Sequence, residues 1–132
     1  YLIAPEAKAI PLVYEMARQS AAERYFIARK GAKVYMPDPL CVEDQSITTA
    51  GVQRLYLGRD DAELIQGKRV LLVDDVISTG ESLTALEALV EKAGGIVCGR
   101  ATILAEGKAA DRDDLVYLEK LPLFDKNGDP IE

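Results

Sequence analysis

At 132 residues the chain has room for one domain with a real core, and its 48% hydrophobic and 29% charged content is ordinary for a soluble globular protein. With 22 acids against 16 bases, the net charge of −6 argues against nonspecific nucleic-acid binding. There is no His, so Ser-His-Asp and Cys-His catalytic schemes are excluded.

Tyr1-Leu2-Ile3-Ala4 reads as a core strand, and because the chain opens on it without a Met, upstream residues are expected. Pro5 to Ala9 forms a turn, and a helix follows to about Gln19. Pro11 fits its first turn, where a missing N–H costs little, and Leu12, Val13, Met16 and Ala17 make its apolar face. Lys8, taken alone, is a solvated surface lysine. Tyr25-Phe26-Ile27-Ala28 is the next strand. It runs into Arg29-Lys30-Gly31-Ala32-Lys33, which reads either as an anion site at the sheet edge or as a solvated turn; in an acidic protein the gathering of three cations favours the first.

Residues 34–51 are the least regular, since Pro37 and Pro39 break any helix. Gln45 to Thr49 and Val52 to Leu57 suggest two arms of a β-hairpin turning at Ala50-Gly51, with Tyr35 and Tyr56 as packing residues. Gly58 to Lys68 is a polar connection with a helical turn at Ala62-Glu63-Leu64-Ile65.

Val70-Leu71-Leu72-Val73 is an apolar run too short for a helix, as expected of a strand buried on both faces of a parallel sheet. Asp74-Asp75 follows, then Val76-Ile77 and the small turn Ser78-Thr79-Gly80. Leu83, Leu86, Val90 and Ala93 then recur at helical spacing. A turn between a strand's carboxyl end and a helix start is where open α/β sheets bind ligands. Free N–H groups and the helix dipole attract an anion there, Ser78, Thr79 and Ser82 add hydroxyls, and Gly80 allows close approach. Asp74 and Asp75 are acceptors, suited to a ribose diol. One ligand with a diol and a phosphate a few ångströms apart satisfies both halves.

Gly94-Gly95 stops that helix. Ile96 to Ala105 is another long apolar strand with Cys98 as a small core residue, ending at Glu106-Gly107. Lys108 to Asp114 is charged and exposed, Leu115 to Leu118 is a last strand, Leu121 to Phe124 packs on the core edge, and Asn127-Gly128 marks a turn. The architecture is therefore α/β, with strand–helix units building a mainly parallel central sheet flanked by helices. Three loops gather at one sheet edge: Pro5–Ala9, Arg29–Lys33 and Asp74–Ser82.

Val70 to Ser82 resembles the 5-phosphoribosyl-1-pyrophosphate (PRPP) signature of type I phosphoribosyltransferases: an apolar strand, two acids, then a small-Thr-Gly turn. Glu81 departs from it, standing where purine members usually carry Gly. Glu6-Ala7-Lys8-Ala9 is similar to the Glu-small-Arg-Gly loop of the adenine-accepting branch, with Lys8 for Arg and Ala9 for Gly. Ala28-Arg29-Lys30 with Lys33 is similar to that branch's Arg-Lys-x-x-Lys segment. The resemblance covers nearly the whole chain in order.

The resemblance implies transfer of a phosphoribosyl group from PRPP to a purine base, adenine first and xanthine or another base next, with release of pyrophosphate. It implies Mg²⁺ held mainly through PRPP, with no direct protein metal ligand. Asp74 and Asp75 would be catalytic, orienting the ribose and stabilising positive charge growing at its ring, and the run Val76, Ile77, Ser78, Thr79, Gly80, Glu81 and Ser82 would hold the 5′-phosphate. Ala7, Lys8, Arg29, Lys30 and Lys33 would take pyrophosphate, with Lys8 and Arg29 also catalytic. Glu106 either faces the base or merely closes its strand. The hairpin would be a flexible flap excluding water, with Thr48 or Thr49 at the place of a flap glutamate in the adenine enzymes. The base-binding hood would lie in the upstream residues. A homodimer in the cytoplasm, without membrane or nucleic-acid partners, is expected; no apolar run reaches membrane-spanning length. Two other readings stand beside this one: a PRPP-binding regulator of the same fold without transferase activity, and a purely structural domain.

Overall fold

The computed structural model describes residues 1–44 and 53–131. Seven strands and three helices follow in order: β1 (Leu2–Pro5), α1 (Ile10–Gln19), β2 (Phe26–Ala28), β3 (Leu40–Asp44), β4 (Gln53–Leu57), α2 (Arg59–Ile65), β5 (Arg69–Ile77), α3 (Glu81–Lys92), β6 (Ile96–Glu106) and β7 (Val116–Leu121). A short 3₁₀ turn, Gly107–Asp111, links β6 to β7.

Five strands form one sheet in the order β2-β1-β5-β6-β7, and every pairing in it is parallel. The apolar run at the start of β5 is buried on both faces, as its composition predicts. Val70 and Leu72 join Ile3 and the α3 residues Leu83, Leu86, Leu89 and Val90 in one core, and Val73 joins Ala4, Ala9 and the α1 residue Val13 in a second. Successive residues of a strand point to opposite faces, so α1 and α3 lie on opposite sides.

This strand order makes β1 and β5 neighbours whose onward connections run to opposite ends of the sheet. Such a reversal is the topological switch point, where doubly wound sheets bind ligands. Pairing between β1 and β5 covers Leu2–Leu71 and Ile3–Leu72. Beyond it, the loop after β1 and the end of β5 frame a crevice.

Four expectations change. The central strand does not stop before the acids but continues through Asp74 and Asp75 to Ile77. Within residues 34–51, expected to be irregular, Leu40–Asp44 is a strand paired antiparallel with β4, from Leu40–Leu57 to Asp44–Gln53, while Gln45 to Thr49 lie outside the described residues. Leu40 sits directly after two prolines, yet it is buried with Leu55 and Leu57 in the α3 core, and that burial decides the pairing. The turn expected at Ala50-Gly51, and Thr48 and Thr49, lie outside the described residues.

Cys98 is exposed rather than a core residue. Register runs Val70–Val97 and then Leu71–Gly99, leaving Cys98 as the extra residue of a bulge. Finally, Tyr35, Leu123 and Phe124 are exposed instead of packed, at 66%, 43% and 51%.

Candidate active site

The crevice at the switch point is a cavity of about 380 Å³. Its walls come from four places that sequence order keeps apart: Pro5 to Ala9 from the end of β1 onward, Lys30 after β2, Gln53 and Leu55 of β4, and Asp74, Asp75, Val76 and Ser82 around the end of β5. A smaller cavity of about 130 Å³ adjoins it, enclosed by Ile77, Ser78, Thr79, Gly80 and Leu83. Asp74, Val76 and Ser82 line both, so the first acid sits where the two meet.

The smaller cavity is built by a strand-to-helix turn. Gly80 has φ +85°, a left-handed conformation that only glycine adopts without cost. It begins α3 with no capping side chain; among the described residues the Glu81 N–H has only the Thr79 hydroxyl oxygen, at 3.4 Å. The first N–H groups of a helix therefore face a pocket lined by hydroxyls, an arrangement suited to a phosphate. Glu81 lines neither cavity. Its position in the first turn of α3 suits a negative charge.

The acids behave as a pair. The Asp75 N–H donates to Asp74 Oδ1 at 2.8 Å. Burial, then hydrogen bonding and repulsion from Asp75, push the Asp74 carboxyl up to about 7. Asp74 is thus poised to change protonation near neutrality, as groups in functional clefts often are. Among the described residues no three His, Cys, Asp or Glu side chains gather as a metal site. Two carboxylates on a cavity wall suit Mg²⁺, which keeps water and substrate phosphate oxygens as its main ligands.

The cation-bearing loops do not contribute alike. Lys8 and Lys30 are exposed and line the cavity, together with Ala7. Arg29 and Lys33 instead turn to Glu6, at 3.5 and 3.9 Å. Glu6 also accepts the Lys30 N–H at 2.6 Å, and that bond leads the causes holding its carboxyl below the usual range. The Glu6–Ala7 peptide bond is cis. Glu6 therefore fastens the cation run to the loop after β1, a role hidden in sequence because it depends on β2 lying beside β1. The same run carries the hairpin: Arg29 and Tyr56 exchange both backbone hydrogen bonds, at 2.9 and 2.7 Å. Through that link the β4 residues Gln53 and Leu55 reach the cavity wall.

Glu106 ends β6 beside a further cavity of about 430 Å³, shared with Ser78 and Thr79. Arg112 also lines it, from the loop after the 3₁₀ turn. Nothing in the local sequence marks Arg112, since its place depends on tertiary packing.

The phosphoribosyl transferase domain family model matches residues 1–126. The chain is 40% identical over 96 residues to an adenine phosphoribosyltransferase of Corynebacterium jeikeium, covering 73% of this chain and 44% of that protein. It is 35% identical over 118 residues to the adenine phosphoribosyltransferase of Thermotoga petrophila, covering 89% of this chain and 61% of that protein. The chain thus spans roughly half the length of these two relatives. The crystal structure of adenine phosphoribosyltransferase from Thermoanaerobacter pseudethanolicus superposes with a TM-score of 0.77 at 27% identity, over 91% of this chain and 69% of that one.

Proposed function

The chain belongs to the phosphoribosyl transferase domain family, and from that premise we propose that the protein transfers a phosphoribosyl group from PRPP to a purine base, adenine first, releasing pyrophosphate. The observation that carries the reading is the placement of Asp74 and Asp75. Asp74 stands where the cation-lined cavity meets the hydroxyl-lined helix start, with Asp75 beside it on the wall of the larger cavity. A ribose bearing pyrophosphate at one carbon and phosphate at another needs that order of partners.

In this reading the 5′-phosphate lies in the Ser78–Ser82 turn at the start of α3, where N–H groups and hydroxyls donate to it. Asp74 and Asp75 accept from the ribose hydroxyls and stabilise positive charge that grows on the ring as pyrophosphate departs. The bond from the ribose carbon to pyrophosphate breaks with its electron pair on oxygen. The lone pair of a base nitrogen forms the new bond, and the proton that nitrogen loses passes to an oxygen of the departing pyrophosphate. Lys8, Lys30 and the Ala7 backbone receive the leaving charge, with Arg29 and Lys33 held nearby by Glu6. Mg²⁺, when bound, neutralises pyrophosphate oxygens. The hairpin, through Gln53 and Leu55, excludes water that would otherwise capture the ring. Glu106 faces the base from the cavity it shares with Ser78 and Thr79.

A homodimer is the assembly we expect, supported by Val116 and Leu118, which stand 71% and 79% exposed on the outer strand β7. The unpaired Cys41 and Cys98 suit a reducing cytoplasm. The test is incubation with PRPP, Mg²⁺ and each of adenine, hypoxanthine, guanine, xanthine and orotate, following pyrophosphate release. Turnover with adenine above the others supports the reading. PRPP binding with no release for any base refutes transfer.

A further inference from the structure

The turn Ser78–Gly80 has a cationic neighbour that its own sequence does not supply. A methyl group placed on Gly80 would lie 2.7 Å from Arg112 Nη1, so the guanidinium rests directly against the turn. Arg112 Nε and Nη2 donate to the two oxygens of Asp114, both at 2.8 Å, in a bidentate fork. Asp114 in turn lies 3.7 Å from Arg100, which is paired with Glu87 of α3. The Arg112 guanidinium is therefore fixed by its partners, while Nη1 donates to no side chain or carbonyl among the described residues. Its side chain is 31% exposed, so its charge is only partly screened by water.

The loop that holds Arg112 is also anchored. Ala109 is buried in the main core, and the Tyr117 hydroxyl donates to the Ala110 carbonyl at 3.1 Å. The Arg112 N–H donates to the Ala109 carbonyl at 3.2 Å. A rigidly held cation with unspent donors, against a turn already built for an anion, costs little reorganisation when the anion arrives.

We propose that Arg112 is a positioning residue of the 5′-phosphate subsite, braced by Asp114 against the Ser78–Gly80 turn so that Nη1 adds positive charge behind the bound phosphate. The inference rests on the phosphoribosyl reading above and extends it to a residue outside the signature stretch.

The test compares the unaltered protein with Arg112→Gln and Arg112→Lys, titrated calorimetrically with ribose 5-phosphate and, separately, with pyrophosphate. Arg112→Gln should weaken ribose 5-phosphate about 10-fold or more, the usual scale for losing a charged partner. Arg112→Lys, which keeps the charge but not the fork to Asp114, should recover part of that loss, pyrophosphate affinity should stay within about twofold, and the 10-fold gap should shrink as salt screens the charge. Equal ribose 5-phosphate affinity in all three proteins overturns the inference. So does a parallel loss for both ligands, or a loss indifferent to salt and unrescued by Lys, since each marks a merely structural arginine. If the unaltered protein binds neither ligand, the phosphoribosyl reading falls and this inference with it. If it binds both and Arg112→Gln changes nothing, only the inference falls.

Discussion

Replacing Asp74 by Asn is expected to stabilise the ligand-free protein, and to do so only well above acid pH. Asp74 is partly buried on β5 beside Asp75, and burial first, then the neighbouring acid, lift its carboxyl from 3.8 to about 7. Between those values the native protein holds a proton that the unfolded chain has released. Stability contributed by this group therefore falls as pH rises from about 4 to about 7 and stays low above that. The displacement corresponds to ~4 kcal/mol at most, a net figure in which the nearby Lys30 charge already opposes burial and Asp75. Asn has the same shape and keeps an oxygen for the Asp75 N–H, which Asp74 accepts at 2.8 Å. Urea denaturation at pH 4 and pH 8 measures the effect. The two proteins should match at pH 4, and the Asn variant should be more stable at pH 8 by about 2–4 kcal/mol. Parallel profiles, with the same difference at both pH values, would refute the claim that a buried acid pair burdens the empty site.

Gly80→Ala should lose about 1–2 kcal/mol from the left-handed backbone alone, and more because its methyl meets Arg112 Nη1 at 2.7 Å. In an Arg112→Ala background the steric part should vanish and the backbone part persist, which a double-mutant cycle in urea resolves. Glu6→Ala strips the Lys30 N–H, Arg29 and Lys33 of their shared partner and should cost about 1–3 kcal/mol, whereas Glu6→Gln keeps an acceptor and should cost less. The Glu6 carboxyl is lowered from 4.5, so its contribution is present above that value and lost as pH falls through the lower native one. Glu6→Gln should therefore flatten the acid limb of a stability–pH curve. Lys8→Ala should weaken pyrophosphate binding in calorimetry while leaving ribose 5-phosphate nearly unchanged, because Lys8 lines only the larger cavity.

The layout of the site was legible where chemistry is local. Val70–Val73 is a short apolar run, the helical spacing begins at Leu83, and the acids and hydroxyls between them lie on one continuous segment. Lys8 and Lys30 follow strand ends, so a parallel sheet delivers them to the same edge. What sequence hid depends on contacts between distant segments. Glu6 gains its role only because β2 returns beside β1, and Arg112 only because Ala109 is buried under β6 and β7. In the sequence Arg29 and Lys30 stand ahead of Lys33 as anion ligands, but the Glu6 carboxylate draws Arg29 and Lys33 aside and leaves Lys30 on the cavity wall. The apolar run around Cys98 points to the core, but Cys98 is the extra residue of a bulge and stands exposed, which composition alone does not show. Strand β3 was hidden because two nearby prolines mask a segment that α3 stabilises from outside; the Lys92 ammonium donates to the Cys41 carbonyl at 2.9 Å.

The central claim is that the double acid at the β1–β5 switch point recognises the ribose of PRPP. Calorimetric titration of PRPP with Mg²⁺ into the unaltered protein and into the Asp74→Asn, Asp75→Asn double variant tests it most directly, with circular dichroism confirming that both are folded. The account predicts a measurable isotherm for the unaltered protein and none for the variant. Equal affinity in the two would contradict it.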